Sequence, residues 1–260
     1  MTQVASRTDL RAAVLEALGG VQDPELHEGL TSLGFVDTCT VEEDGTARVR
    51  LRLPTYFCAP NFAFLMVADA WEAVSAVPGV RRADVTLEDH FASDVINAGV
   101  AARAGFVDSF AGEAVAELDE LRAGFLRKAV LAGTDLVCGP LVAGRPPEEL
   151  LALDLGDVPP SAELDRLRAR RRELGLPADD AAPLLVDVES GRRLDAGDLT
   201  LHLRKARLTQ VGVEANTSIC RGQLQHRYAG SPSAGLLGQP GTSTHPETDP
   251  QTGPPTEERT

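Results

Sequence analysis

Ala47-Arg48-Val49-Arg50-Leu51-Arg52-Leu53, running directly into Pro54-Thr55-Tyr56-Phe57-Cys58-Ala59-Pro60, is the stretch that decides the fold. In its first seven residues apolar and basic side chains alternate. A strand turns successive side chains to opposite faces, so the alternation predicts one buried and one wet face. Pro60 suits the first turn of a helix, where its missing N–H costs nothing. Behind it Phe62, Leu65, Met66, Ala70, Ala73, Val74 and Val77 form one apolar stripe at helical spacing, closed by Pro78-Gly79. Ala83, Val85 and Leu87 then alternate as a further strand.

Working upstream, strand-like residues from about Leu33 to Val41 meet the Ala47–Leu53 strand through a hairpin turn at Glu43-Asp44-Gly45. Before them lies the loop Asp23-Pro24-Glu25-Leu26-His27-Glu28. Ahead of that, Leu10, Val14, Leu15 and Leu18 predict a helix from Thr8 to Leu18, with Thr8 as N-cap and Gly19-Gly20 as stop. Helix, strand, strand, helix, strand over residues 8–91 describes an α+β domain, a small three-stranded sheet with helices packed on one face.

Working downstream, the pattern becomes a mixed α/β extension. A helix is predicted from about Phe110 to Leu131, a short helix opening at Pro146-Pro147, and another from a Ser161 cap to Gly175. Short strands are predicted near Leu184–Val188, Leu199–Leu203 and Leu208–Glu214. Several of these elements are too short to stand alone, so the extension is expected to wrap the first domain or a partner. From about Gly230 the chain is Ser, Pro, Gly and Thr with almost no large apolar residue, which predicts a disordered tail. The divisions are therefore 1–92, 93–229 and 230–260.

Composition excludes several classes. Hydrophobic residues at 43% and charged residues at 25% are those of an ordinary globular protein. A net charge of -14 argues against general nucleic-acid binding, which needs a basic surface. The densest basic run, Arg166 to Arg172, has acidic neighbours and reads as a solvated or partner-facing helix. No apolar stretch is long enough to span a membrane, and the first residues lack the apolar core of a secretory signal, so a cytoplasmic location is expected. The four cysteines, Cys39, Cys58, Cys138 and Cys220, include no close pair. Neither a disulfide framework nor a structural zinc site fits that spacing. Any bound metal would take ligands from distant segments or from two subunits, which leaves a homodimer open.

Cys58 is the leading chemical candidate. A cysteine is most often a small buried hydrophobe. This one precedes a Pro-initiated helix, whose N-terminal N–H groups would favour the thiolate, the form that ligates soft metals. Asp23-Pro24 is a common turn signal on its own. His27 and His90 are the early histidines that could serve a nucleophilic thiol as base, but no spacing pairs either with Cys58. Cys138 lies beside Gly139 and Cys220 two residues before Gly222, where backbone can approach a ligand closely, and both are candidates to converge with Cys58 on one cluster. Cys39, inside a predicted strand, reads as packing.

Taken together, the loop Asp23-Pro24-Glu25-Leu26, the hairpin, Pro54-Thr55-Tyr56-Phe57-Cys58 and the strand Val80-Arg81-Arg82-Ala83-Asp84-Val85-Thr86-Leu87 resemble the metal–sulfur cluster biosynthesis family of SufT-like and PaaD-like iron–sulfur cluster assembly proteins. The resemblance covers about residues 8–91. It implies a non-enzymatic factor that assembles or delivers an iron–sulfur cluster, or iron, to a client apo-metalloenzyme, an oxygenase being one candidate, or that works with other assembly proteins. It assigns Asp23, Pro24, Glu25, Thr55 and Cys58 to the cofactor site; Cys138 and Cys220, outside the resemblance, join Cys58 as metal ligands to test. Two residues separate Thr55 from Cys58 where the family commonly has three. A metal-free adaptor that binds an apo-enzyme is the alternative, followed by a cysteine-dependent enzyme.

Overall fold

The computed structural model describes residues 7–114, 116–142 and 146–229. The predicted tail, 230–260, lies outside the described residues. The chain runs α1 (Arg7–Gly20), α2 (Leu30–Leu33), β1 (Val36–Val41), β2 (Thr46–Arg52), α3 (Pro60–Ser75), β3 (Arg82–Glu88), α4 (Ser93–Ala102), α5 (Phe106–Ser109) and α6 (Asp119–Val142). Two 3-10 turns (Pro147–Ala152 and Leu155–Asp157), α7 (Ala162–Glu173) and α8 (Leu199–Arg227) follow. The fold is α+β, as the alternation predicts.

β2 is the central strand of the order β1-β2-β3. It pairs antiparallel with β1 across the turn at Gly45, whose φ of 83° suits glycine, and parallel with β3 across the α3 crossover. Ala47, Val49, Leu51 and Leu53 are buried against α1, α3 and α4, whereas Arg48, Arg50 and Arg52 face outward. The outward arginines pair with Glu42, Asp84, Asp37 and Glu88 at 2.7–3.6 Å. Exposed pairs of this kind contribute little individually. The buried row fixes the register, because a one-residue slip would move it to solvent. Since β2 and β3 are parallel, both end at one edge, and the segments holding Cys58 and His90 leave from there.

Two cores follow. The first joins α1 to α4 and the sheet, with Val14, Phe35, Leu51, Met66 and Ile96 at its centre. The second joins α6, the 3-10 turns, α7 and the 182–199 segment around Leu150, Leu155, Leu167 and Leu185. α8 serves both: Leu199 packs in the second, Leu224 in the first. Asp69 of α3 holds Arg122 of α6 through two bonds of 2.6 and 2.7 Å, and Phe62 meets Phe125 edge-on at 4.9 Å.

Several expectations for the second half fail. The strands predicted at Leu199–Leu203 and Leu208–Glu214 are parts of α8. Short apolar runs do not separate strand from buried helix, and here the helical recurrence of buried Leu199, His202, Ala206 and Gln210 prevails. Near Val186 only an isolated bridge to Arg193 forms, across a turn at Gly191. The Phe110–Leu131 helix instead begins at Asp119 and continues to Val142. Thr8 lies within α1 rather than at its cap. Ser161 does cap α7, accepting from the Leu164 N–H at 3.1 Å. Two of the α7 arginines read as solvated are buried: Arg170 is 7% exposed and Arg171 fully enclosed. Arg171 sits inside the second core because its guanidinium donates to the carbonyls of Pro183 (2.8 Å) and Leu184 (2.6 Å).

Candidate metal–sulfur site

The Asp23–Glu28 loop is built by its own polar groups. Asp23 is buried, and its Oδ1 accepts from the N–H groups of Glu25 and Leu26, both at 2.8 Å. That is the Asx turn an Asp-Pro sequence favours. The loop then closes through Asp23 N–H to Glu28 O at 2.9 Å and Leu30 N–H to Val21 O at 2.9 Å. Gly29 permits closure, because a Cβ there would stand 2.3 Å from the Gly19 carbonyl oxygen. His27 takes a left-handed φ of 56° to complete the turn.

Cys58 follows β2 through the bend at Pro54–Phe57 and immediately precedes α3. Thr55 is half-buried in that bend. His90 fixes the cysteine backbone from the end of β3. Its Nδ1 accepts from the Ala92 N–H at 3.2 Å, which leaves the proton on Nε2 to be donated to the Cys58 carbonyl at 2.7 Å. Both ring nitrogens are thus committed to backbone, and His90 is not placed as a base for the thiol.

α8 brings a second thiol to this edge. Asn216 donates to Glu25 Oε1 at 3.2 Å, and Arg221 pairs with Glu28. Arg227 donates to Leu53 O at 3.1 Å and pairs with Asp89 at 2.7 Å, while Tyr228 OH donates to Asp89 at 3.0 Å. Between these anchors, Cys220 packs half-buried against the same core as Cys58. Asp23, Glu25 and Cys220 all act electrostatically on Cys58.

The charge state differs from expectation. Burial pushes the Cys58 thiol up to about 12, and Asp23 and Cys220 push the same way; the Ala59 N–H opposes them but is outweighed. The helix-start donor is present and loses to desolvation. Burial also raises Cys220, with Asp23 and Glu25 adding to it. Burial raises the Asp23 carboxyl despite its two N–H donors. Neutral thiols beside carboxylates are poor nucleophiles; Cys58, Cys220, Asp23 and Glu25 share this edge and influence one another electrostatically.

Cys138 does not join this group. It is buried in the second core, pushed up to about 12 by burial although Arg171 opposes that shift. Cys39 is buried in β1 as packing. The sequence did not reveal the roles of Asn216, Arg221, Arg227 and Tyr228 in binding α8 to the thiol edge. The helical recurrence of Leu199, His202, Ala206 and Gln210 at the start of α8 was the available signal. Around Cys58, exposed Tyr56, Phe57 and Phe91 cluster with ring centroids 5.0–6.4 Å apart. Among the described residues, no three His, Cys, Asp or Glu side chains are arranged to hold a metal ion.

A family model described as iron–sulfur cluster assembly protein matches residues 11–87, which contain Asp23, Glu25, Thr55 and Cys58. An uncharacterized protein of Methanocaldococcus jannaschii is 31% identical over 84 residues, 32% of this chain and 86% of that protein. The chain belongs to the iron–sulfur cluster assembly family. The region is also similar to the iron–sulfur cluster carrier proteins of Mycobacterium tuberculosis and Mycobacterium bovis, 35% identical over 80 residues. That match covers 31% of this chain and only 20% of each carrier. No solved structure matches the chain. No described helix is long and apolar enough to cross a membrane.

Proposed function

We propose that this protein is a non-enzymatic carrier that holds iron or an iron–sulfur cluster as cargo between Cys58 and Cys220 and passes it to a client apo-metalloenzyme. The observation that carries this reading is α8 laying Cys220 beside Cys58, with Asp23 and Glu25 on the same edge, in a chain of the assembly family. Thiolates suit iron–sulfur clusters, and carboxylates suit an incoming cation. Two thiols leave a cluster short of its usual four cysteine ligands, so a client's thiolates can complete and then replace the set. Binding must expel the thiol protons, and the raised thiol values make that step pH-dependent. On this reading residues 1–92 carry the cargo, and 93–229 contribute Cys220 and client recognition. The client would be a cytoplasmic metalloenzyme, with oxygenases as one candidate class.

A metal-free adaptor is the second reading, favoured by the exposed Tyr56, Phe57 and Phe91 cluster. Anaerobic loading of the full chain, followed by iron and sulfide analysis and an absorption spectrum, separates the two. A carrier binds iron with thiolate-to-iron absorption that Cys58→Ser removes. A colourless chain that still binds apo-client would be an adaptor.

A further inference from the structure

Away from the thiols, a cleft of about 350 Å³ opens between the Gly20–His27 loop, α3, α6 and α7. Its volume is at the lower end of small-molecule sites. Leu65, Phe125 and Leu126 give it an apolar side; Arg166, paired with Glu163 at 2.7 Å, and Arg170 give it cations, and Asp23, Asp69 and Glu173 also line it.

Arg170 is the unusual member. It is only 7% exposed, and its guanidinium donates to His27 O at 2.9 Å and Ala129 O at 3.2 Å, while its Nε has no partner. Among the described residues no carboxylate lies within ion-pair distance of it. Glu173 acts on it only through space, and Asp69, also lining the cleft, is taken by Arg122. A buried charge is ordinarily paired. Arg171 is likewise buried without a carboxylate and with an unpartnered Nε, but three carbonyls receive the rest of its guanidinium and it does not line this cleft. Burial and the neighbouring Arg166 lower Arg170 to about 10, which leaves it charged at neutral pH. The His27 Nε2, in the loop that Arg170 holds, is buried without a partner as well.

We propose that this cleft binds a small organic carboxylate, its apolar body against Phe125, Leu65 and Leu126 and its carboxylate at the Arg170–Arg166 end. The neutral imidazole of His27 can offer a further N–H. A ligand of one ring fits the volume. This inference does not depend on metal binding by Cys58.

Fluorine NMR of 4-fluorobenzoate titrated into the reduced full chain tests it. Saturable binding is expected at about 0.1–1 mM, reasonable for so small a ligand. 4-Fluorobenzamide, the same shape without charge, should bind at least about tenfold more weakly. Arg170→Gln should weaken 4-fluorobenzoate by a similar factor. Because Arg170 also ties two backbone carbonyls, Ala169→Trp provides an independent variant, filling the cleft from an exposed helical position. It should abolish binding while leaving iron loading unchanged. Absence of saturation, equal binding of the amide, or full binding by Ala169→Trp would overturn the proposal.

Discussion

Cys58 and Cys138 are both raised by burial but differ in what surrounds them. Burial pushes both thiols up to about 12, yet Cys58 faces Asp23, Glu25 and Cys220, whereas Cys138 faces the Arg171 guanidinium together with Asp135. In the absence of metal a neighbouring arginine is the better promoter of thiolate, and even there desolvation wins. The difference emerges when a cation arrives. Beside Cys58 it neutralises carboxylates and takes up sulfur; beside Cys138 it would meet a fixed positive charge inside a packed core. Similar acidity therefore need not mean similar function, and the surrounding charge separates the proposed cargo site from a thiol packed in the second core.

The strongest way to break this comparison is by substitution. Cys58→Ser is expected to lower iron affinity at least about tenfold, and Cys220→Ser to do so less severely, measured by anaerobic competition with a chelator. Cys138→Ser should leave iron binding unchanged and cost about 1–3 kcal/mol of stability in denaturant unfolding, because it buries a hydroxyl in an apolar core. Equal loss of iron in all three would erase the distinction.

The first half was legible because its elements announce themselves locally. Alternation in Ala47–Leu53, Pro60 at a helix start and the Gly45 turn each admit one structure, and together they order the sheet. α8 was not legible, because its middle has neither a clean stripe nor strand alternation and its burial comes from two separate cores. The site followed the same division. Cys58 was signalled by its junction, but its ionisation was misread: a helix start is local, and desolvation depends on what packs over it. Cys220 was named on weak grounds and reaches the edge through Asn216 and Arg221, nearly two hundred residues beyond the loop they hold. The burial of Arg170 and Arg171 was equally invisible, since carbonyl partners leave no signature in composition.

The pH dependence sharpens the comparison next. Cys58 and Cys138 are raised in the fold from 9.0 to about 12, so the unfolded chain loses these protons first. Their contribution to stability is complete below pH 9.0 and is lost as pH rises towards 12. Urea midpoints of the metal-free chain should fall across that window, and less so in Cys138→Ala relative to its own neutral-pH value. Loading should run the other way over pH 6–8, strengthening as proton release becomes easier. At the acid end, His27 is lowered from 6.5 to about 3 by burial, Arg170 and Lys128, so its contribution is present above 6.5 and declines as pH falls towards 3.

A smaller effect is expected from the helix anchor. Arg221→Ala removes a partly exposed ion pair with Glu28 and should cost only about 0.2–1 kcal/mol. Combined with Asn216→Ala, it should loosen Cys220 and speed its alkylation without changing that of Cys138.

Iron X-ray absorption of the anaerobically loaded full chain tests the central claim most directly. The account predicts sulfur scattering from thiolates that is lost in the Cys58→Ser/Cys220→Ser double variant and retained in Cys138→Ser. Undiminished sulfur ligation from protein thiols in the double variant, or its loss in Cys138→Ser, would contradict it.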